Sequence, residues 1–486
     1  MRQLLPIVLF STFILFFSTN CSIKATKEVV EKKLLPNVQK LDYYGSMSIL
    51  SKPVSLETDS ALEEDNIQTN NKIKKASITS DPKELFFKSD YVTYKKQKGS
   101  KNDTTHLIQY LKNNKKIYFP KGNYYFKLNS IFLTSNTTLM GDFNKTNFHV
   151  IDDGEFKSTK PSALLNAYGK KNIQIFNINF YGKNNTSVGI GIYSSKKIGN
   201  SKEVVVAYNN TNKMGLLWVG PSKGFSFNRI DENNQDWANG GPVTEKDISE
   251  NIKVFENVIT GDLSKKLKDF HVNQISGISL LFVKNAKIYN NIISHTYFGA
   301  WAYGGASRSS DESHLTKNPI WCKNIEFFNN TIDRTFSPMW ASRCQNVNMY
   351  SNYTKENLDV ALDFEGCFDS SAKYNTVINS HGGALTSLNG SNNIIFKNNT
   401  IESNHESVYG INITLIRNAN ENIKYLNNIF RATGFSKGKI QLTRTSETIG
   451  INKNIIFKNN IFENIYVNNK DGSDITIDKT NMGIKP

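Results

Sequence analysis

The sequence lacks the short motifs that mark several large classes of enzyme. None of the patterns GxxxxGK[ST], GxGxxG before a helix or HExxH occurs in its 486 residues. Their absence argues against nucleotide binding through a P-loop or a dinucleotide fold, and against zinc-protease chemistry. The pattern GxSxG occurs as GPSKG at 220 and GFSKG at 434, but neither copy precedes a predicted helix as a nucleophile elbow does, which argues against serine-hydrolase chemistry.

Cysteine and histidine are also scarce, with four and seven residues respectively. No two cysteines are spaced as in a CxxC zinc knuckle. Because histidines are few, the place of each one in the repeat described below decides whether it is a candidate for proton transfer near neutral pH.

Long apolar runs are missing except at the start, where one extends from Leu4 to Phe17 after Arg2. This run is too short for a membrane span and is typical of a secretory signal, which we assign to residues 1–20. Cys21 directly follows, as in a bacterial lipoprotein signal, and this resemblance implies that Cys21 is lipidated. Residues 21–85 are rich in Lys, Ser, Asn and Glu and predict a flexible tether. We therefore expect an exported outer-membrane lipoprotein on the periplasmic or cell-surface side.

Positive charge exceeds negative charge by 59 to 43 residues, which gives a formal net charge of +16. Such a balance favours an anionic partner. Since export argues against a cytoplasmic nucleic-acid role, we expect an acidic polymer as the partner and no nucleic acid.

A phrase of nine residues recurs in the second half of the chain at intervals of 22 to 39 residues. Its clearest copies begin at positions 251, 285, 324, 346, 393, 422 and 454, and a degenerate copy, DSSAKYNTV, begins at 369. Apolar residues alternate within each copy, which indicates a strand. The seventh place is asparagine in all eight copies: Asn257, Asn291, Asn330, Asn352, Asn375, Asn399, Asn428 and Asn460. A repeat of this length predicts a solenoid in which these amides stack on successive coils.

Three cysteines test this alignment independently. Cys322, Cys344 and Cys367 are 22 and 23 residues apart, and each lies two places before its copy of the phrase. We expect them to stack as small apolar side chains inside the solenoid.

The phrase, its asparagines and the segment that precedes it resemble the right-handed parallel β-helix of the pectate-lyase-like superfamily. In that segment a predicted helix at 102–114 leads into IYFPKGNYYF at 117 and TTLMGD at 137. The resemblance implies an all-β solenoid over residues 86–486, with the helix capping its open end. Long loop insertions are predicted at about 197–250, 261–277 and 304–319, where the phrase is interrupted by turn residues.

A second strand follows each phrase, and the copy VALDFEGC at 360 carries two acidic residues. If Leu362 and Phe364 point inward, Asp363 and Glu365 point outward on one face, because alternate strand residues share a face. Alignment of the coils predicts Trp340 and Ser387 beside Asp363, and Ser342 and Asn389 beside Glu365. The pair suits general acid–base work, or Ca²⁺ binding as the one cofactor considered.

Further candidates surround this pair in the aligned coils. As catalytic residues we consider Arg343, His381, His295 and Tyr303. As substrate-binding residues we consider Trp301, Trp340, Arg334, Arg417, His405 and Asn389. Aromatic rings stack on sugars but also fill cores, and arginine binds carboxylate or sulfate in a bidentate manner.

The superfamily acts on polysaccharides by several reactions, so the resemblance leaves the reaction open. The leading hypothesis is β-elimination on a uronate-containing, algal-type glycan such as ulvan or alginate, by a lyase or dehydratase. There Arg343 with Arg334 would neutralise the uronate, His381 or His295 would be the base, and Tyr303 the acid. Two alternatives remain: an inverting glycoside hydrolase that uses Asp363 and Glu365, and a non-catalytic glycan-binding surface lipoprotein. A monomer is expected in each case.

Overall fold

The computed structural model describes residues 90–152, 156–157, 160–183, 187–195, 197–222, 248–263, 276–304, 322–404, 411–433, 437–444, 447, 449–469 and 471–484. All of them belong to one compact unit, Ser80–Pro486. The predicted signal peptide, Cys21 and the tether lie outside the described residues, as do His405 and most of the insertions at 261–277 and 304–319. Within the described ranges, no helix combines the length and the apolar character needed to cross a bilayer.

The described chain winds into coils, and the strands of successive coils pair in parallel to form three long sheets. Each complete coil contributes one strand to sheet A, then one to sheet B and one to sheet C. This is a parallel β-helix, as the repeat predicts.

Sheet A has 14 strands. They are β1 Val92–Thr93, β2 Lys116–Phe119, β5 Thr138–Gly141, β9 Lys171–Phe176, β12 Lys202–Ala207, β15 Ser249–Phe255, β18 Val283–Tyr289, β21 Cys322–Phe328, β24 Cys344–Tyr350, β27 Phe368–Lys373, β30 Asn392–Lys397, β33 Glu421–Leu426, β36 Lys453–Lys458 and β39 Ile475–Ile477.

Sheet B has 12 strands. They are β3 Gly122–Phe126, β6 Thr146–Val150, β10 Asn179–Tyr181, β13 Asn210–Asn212, β16 Val258–Thr260, β19 Ile292–Ser294, β22 Thr331–Asp333, β25 Tyr353–Asn357, β28 Thr376–Ser380, β31 Thr400–Ser403, β34 Ile429–Ala432 and β37 Ile461–Glu463.

Sheet C completes the coils, and its strand β8 also pairs with the short antiparallel β7. Its strands are β4 Ile131–Phe132, β7 Phe156–Lys157, β8 Lys160–Tyr168, β11 Ser187–Ser194, β14 Gly215–Pro221, β17 Ile278–Leu281, β20 Phe298–Tyr303, β23 Ser337–Ser342, β26 Val360–Glu365, β29 Gly383–Leu388, β32 Ile411–Arg417, β35 Gly438–Thr443 and β38 Ile465–Asn469.

The phrase bends the chain at its first and sixth places, where φ is positive; asparagine occupies the first place in seven of the eight copies and the sixth place in five. In the copy at 285, Asn285 has φ 59° and Asn290 has φ 54°. Asparagine tolerates this left-handed conformation better than most residues with a side chain. In this copy the first bend lies near the start of β18 and the second directly follows its last residue.

The asparagine at the seventh place forms the predicted ladder at the turn from sheet A to sheet B. Asn330 Nδ2 donates to Asn352 Oδ1 at 3.0 Å and to the carbonyl oxygen of Ile288 at 2.9 Å. The Oδ1 atom of Asn330 accepts from both the side chain and the backbone N–H of Asn291. Each amide thus satisfies a backbone donor and a backbone acceptor that the turn leaves unpaired.

The ladder is longer than the phrase indicates, because Asn209 precedes the eight predicted members and Asn481 follows them. Asn209 belongs to a coil, β12 to β14, that falls within the predicted insertion at 197–250. The prediction is wrong for residues 202–221, which form regular strands. This coil was not recognised in the sequence because its two bends are occupied by Glu203 and Tyr208, with φ 55° and 59°, where asparagine is more common.

The three cysteines stack as predicted. Cys322 pairs in register with Cys344, all three thiols are free, and all three are fully buried in the main apolar core. Burial raises the pKa of the Cys344 thiol well above its ordinary value, and its neighbours Cys322 and Cys367 add to the shift.

The predicted helix is α1, Thr104–Asn113, and its Leu107 and Leu111 are buried against the first coils. Asp103 does not cap α1 through its side chain; its Oδ2 accepts the backbone N–H of Tyr125 at 2.9 Å instead. Through Leu107 and Leu111, α1 covers apolar side chains at the N-terminal end of the core.

Replacing one internal member of the ladder should weaken the whole domain. In Asn330→Ala, the amide and backbone N–H of Asn291 and the Ile288 carbonyl lose their partner in a buried turn. We expect a loss of about 3–5 kcal/mol in the free energy of unfolding, measured by urea denaturation. Asn348→Ala is the matched control, because its amide bonds only the side chains of Asn346 and Ser371 and no backbone group would lose a partner; its cost should be under about 1 kcal/mol. Equal costs would contradict the structural role of the ladder.

The buried thiols should be chemically silent in the folded protein. With Cys21→Ser removing the fourth thiol, a thiol reagent should titrate no cysteine under native conditions and three after denaturation. Rapid native labelling of even one thiol would mean that the cysteine column is not inside the coils.

Candidate functional site

The two acidic residues of β26 project from sheet C away from the main core. Leu362 and Phe364 belong to that core, so the predicted inward and outward faces of this strand are correct. Asp363 lies in register with Trp340, and Glu365 with Ser342, also as predicted.

On the next coil the predicted neighbours are wrong by one residue. Asp363 pairs with Thr386 and Glu365 with Leu388. Ser387 pairs with Phe364 and points inward, where its hydroxyl lies 3.2 Å from Asn420 Oδ1. Asn389 occupies the bend after β29 with φ 56° and accepts from Asn418 Nδ2 at 2.9 Å. The bend interrupts the strand alternation, which removes Asn389 from the column of Glu365.

The outward face of sheet C is buried rather than solvated, which corrects the expectation for Asp363. Its exposed fraction is 3%, whereas Glu365 is half-buried. The same face of the preceding coils carries a second apolar cluster, which includes Trp218, Leu281 and Trp301. Large side chains on this face pack against one another, so pointing away from the core does not mean contact with water.

The aromatic candidates belong mainly to this packing. Trp301 is 2% exposed, stacks on Trp340 with ring centroids 5.2 Å apart and an angle of 5°, and donates from Nε1 to Ser279 Oγ at 2.6 Å. Tyr303 is buried in the same cluster, and burial raises its pKa. Trp340 is only half-buried. Of the two stacked indoles, Trp340 is therefore the one that keeps exposed surface.

Burial raises the pKa of the Asp363 carboxyl well above its ordinary value, and the negative charges of Glu365 and Asp359 raise it further. Arg417 opposes this shift. Asp363 therefore favours its neutral form, a state that suits a proton donor.

Sequence reasoning missed Asp359, which precedes β26 and lies near the same carboxyl. Burial raises its pKa to about 6, against the opposing effects of the Val360 backbone N–H and Arg417. The space beside Asp359 depends on Gly382, since a Cβ at that position would lie 2.8 Å from Asp359 Oδ1. The sequence did contain a signal for Asp359. It lies four residues before Asp363, and strand residues an even number apart point to the same face.

Several buried polar atoms around Asp363 have no hydrogen-bond partner in the described part of the chain. They are Asp363 Oδ1, Trp340 Nε1 and Thr386 Oγ1. Because these residues are direct neighbours on consecutive strands, the unsatisfied atoms belong to one place. Buried polar groups are nearly always paired, so this place is suited to water or a polar ligand.

The arginine candidates divide between the two ends of the sheet C strands. Arg343 follows β23 with φ 49°, is 2% exposed, and has its pKa lowered to about 10 by burial. Arg334 lies before the same strand, where it is half-exposed and 3.3 Å from Asp333. A six-residue strand spans about 17 Å, so Arg343 and Arg334 cannot grip one carboxylate together. Arg417, at the end of β32, lies in the column of Glu365 and Leu388.

The histidine candidates are at the end opposite to Tyr303. His295 ends the turn after β19, and burial and Arg334 lower its pKa, against the opposing effects of Asp333 and Asp262. His381 precedes β29 and donates its backbone N–H to Asn357. The strand β20 separates His295 from Tyr303, so the expected pairing of these two as base and acid at one bond does not fit the geometry.

The Ca²⁺ hypothesis also finds no complete ligand set. Among the described residues, no group of three or more His, Cys, Asp or Glu side chains is placed to hold a metal ion. Asp363 and Glu365 alone provide fewer oxygens than the six to eight that Ca²⁺ takes. The residues described do not fit this ion.

Comparisons with known proteins agree with this architecture. The family model of a right-handed β-helix region matches residues 249–401, and no curated protein is a significant match to the chain. The A-module of a mannuronan C-5 epimerase from Azotobacter vinelandii has 9% identity and a TM-score of 0.51, over 80% of this chain and 96% of that chain. The fold and the comparisons define a right-handed parallel β-helix protein.

Two more distant structures are similar as well. A family 28 exopolygalacturonase from Yersinia enterocolitica has 11% identity and a TM-score of 0.43, over 80% of this chain and 76% of its own. A surface protein and adhesin from Streptococcus pneumoniae has 13% identity and a TM-score of 0.44, over 72% of this chain and 100% of its own. At these identities and scores, neither likeness supports an inference about function.

The raised pKa of Asp363 makes a prediction about stability. A carboxyl whose pKa is higher in the folded state stabilises the protein below its unfolded pKa, near 3.9. That contribution is lost as pH rises through the folded value. Asp363→Asn does not titrate, so its free energy of unfolding relative to the native protein should increase with pH across this window and then level off. Urea denaturation at a series of pH values checks this.

The matched control is Glu402→Gln, which changes an exposed carboxylate 3.7 Å from Arg431. Its difference from the native protein should be small and nearly independent of pH in the same window. Parallel pH curves for Asp363→Asn and the native protein would show that Asp363 is not a buried neutral acid.

Proposed function

We propose that the protein is an exported carbohydrate-active enzyme that acts on an acidic poly- or oligosaccharide at the outward face of sheet C. The proposal rests on the surroundings of the Asp363 carboxyl. This group is buried, its pKa is raised, and it lies beside Glu365 and Trp340. Two carboxyl groups in different surroundings, next to a partly open aromatic ring, are suited to sugar chemistry.

The two carboxyl groups have different exposure and so suit different roles. Neutral Asp363 would give its proton to the oxygen of the bond that breaks. The half-buried Glu365 would accept a proton from an attacking water. Neighbouring same-face strand residues lie about 6.5–7 Å apart, which is at the lower edge of the range for inverting hydrolysis. Hydrolysis with inversion is therefore the reaction that the pair supports best.

β-Elimination is the second candidate, and Arg417 is the observation that favours it. Its charge lowers the pKa of both Asp359 and Asp363, so it lies close enough to act on both groups. An arginine there would also attract the carboxylate of a uronate and ease loss of the proton at C5. Glu365 would then be the base, since His381 lies before β29 at the other end of the strands from Arg417, and Asp363 would be the acid in place of the buried Tyr303.

The net charge of +16 favours an acidic glycan, such as ulvan or alginate, over a neutral one. The signal-like N-terminus with Cys21 supports export and attachment to the outer membrane through a lipid. We propose a monomer, since nothing in either reaction requires a second subunit.

Purified protein incubated with a panel of uronate-containing, sulfated and neutral glycans would test the proposal. Hydrolysis predicts new reducing ends without ultraviolet absorbance, and elimination predicts absorbance from the new double bond. Retained binding with unchanged glycans would favour the third hypothesis, a glycan-binding surface protein, and would rule out both enzymes for the panel tested.

Glu365→Gln should abolish turnover, by a factor of about 10² or more, because Gln cannot accept a proton. Glycan binding measured on the same sample should remain. Glu402→Gln is the matched control, since it makes the same chemical change on sheet B, and its turnover should equal that of the native protein. Undiminished turnover in Glu365→Gln would remove Glu365 from the reaction.

A further inference from the structure

Sheet A has an outer face that takes no part in the proposed reaction and that carries an unusual arrangement of lysines. Six of them project outward from strands between β15 and β36. We call them the lysine face, and they are Lys253, Lys287, Lys373, Lys397, Lys424 and Lys458. They are half-buried or exposed and lie in two adjacent columns parallel to the solenoid axis, which β21 and β24 interrupt with Glu326, Phe328, Asn348 and Tyr350.

Like charges on this face lie directly next to each other. Lys253 pairs in register with Lys287, and Lys373 pairs with Lys397. Adjacent like charges in a sheet are destabilising, so this pattern weakens the fold unless an anion compensates for it.

The outer face of sheet B shows that the fold does not require such a pattern. In its equivalent column Arg431 lies between two acidic residues, 3.7 Å from Glu402 and 2.9 Å from Glu463. By contrast, among the described residues Lys253, Lys373, Lys397 and Lys424 have no carboxylate within ion-pair distance. Lys287 lies 2.9 Å from Glu326, and the charge of Lys458 helps to lower the pKa of Asp478.

An aromatic column continues into the lysines. The rings of Phe255, Tyr289, Phe328 and Tyr350 stack with successive centroids 4.9, 4.8 and 4.9 Å apart. Lys373 follows Tyr350 in register, and Lys397 follows Lys373. The half-buried edges of the stacked rings add apolar surface beside the charges.

We propose that the lysine face is a second binding site for an acidic polysaccharide, which lies along the solenoid axis outside the catalytic face. Charge complementarity identifies the ligand as a polyanion. The strip is two side chains wide and extends over about 34 Å, seven coil spacings, which fits a linear chain better than a broad membrane surface. That the polyanion is a polysaccharide rests on the proposed function.

A second site on another face would hold a long glycan near the enzyme after each cleavage. Binding at one site raises the effective concentration at the other when the same chain reaches both. The lysine face should therefore matter for long chains and be irrelevant for short ones.

The test uses Lys373→Gln, Lys397→Gln and Lys424→Gln combined in the full chain, with alginate, polygalacturonate and an uncharged glucan as probes. Alginate or polygalacturonate should bind at least about tenfold more weakly at low salt, and the slope of log affinity against log salt should fall by roughly two, near 0.7 per lysine. The uncharged glucan should show no difference. The matched control is Lys95→Gln, Lys101→Gln and Lys112→Gln combined, which removes the same charge around the N-terminal helix.

The outcomes separate this inference from the proposed function. Glu365→Gln should keep the polyanion affinity of the lysine face, and the triple variant should keep turnover of short oligosaccharides on any substrate found. Equal affinity of the two triple variants for both polyanions would overturn the inference. So would a loss of binding to anionic vesicles of phosphatidylglycerol with polyanion binding unchanged. Thermal unfolding at low salt provides the folding check, and relief of like-charge contacts should leave the midpoint of the lysine-face variant equal or higher.

Discussion

The stacked asparagine amides at the turn from sheet A to sheet B are the interaction on which the rest of the structure depends. A coil must bend its backbone three times, and the bend from sheet A to sheet B leaves peptide groups that the flanking strands do not pair. Asn330 and its equivalents satisfy those groups from inside the turn and bind the coil before and the coil after. Since the amide needs its counterpart one coil away, the ladder fixes the register of every strand that follows.

The candidate site is a direct consequence of that register. Trp340, Asp363 and Thr386 come from segments 23 residues apart in sequence, yet they are neighbours because each coil repeats the same path. No single coil contains the site. A column assembled in this way places an acid next to an aromatic ring without any local motif, which explains why no short catalytic signature is visible in the sequence.

Sequence patterns predicted the fold well wherever the phrase is intact, because alternation and asparagine spacing are themselves the physical cause of the strands and bends. They located the stacked cysteines and the inward face of β26. They failed at Glu203 and Tyr208, where other residues adopt the left-handed bend, and at Ser387 and Asn389, where a bend shifts the alternation. The burial of Asp363 could not be predicted, because it depends on packing outside the coil, and the repeat carries no information about that layer.

The ladder also has two ends, and they are not alike. At Asn209 the row stops against Ile178, whose backbone N–H donates to the Asn209 amide oxygen, and α1 covers the core beyond it. At the other end the row finishes with Asn481, beside the short strand β39. In a solenoid whose units hold only their nearest neighbours, disassembly proceeds one winding at a time. Because Asp363 lies near the middle of the ladder, the windings around it are expected to persist when windings at either end come loose.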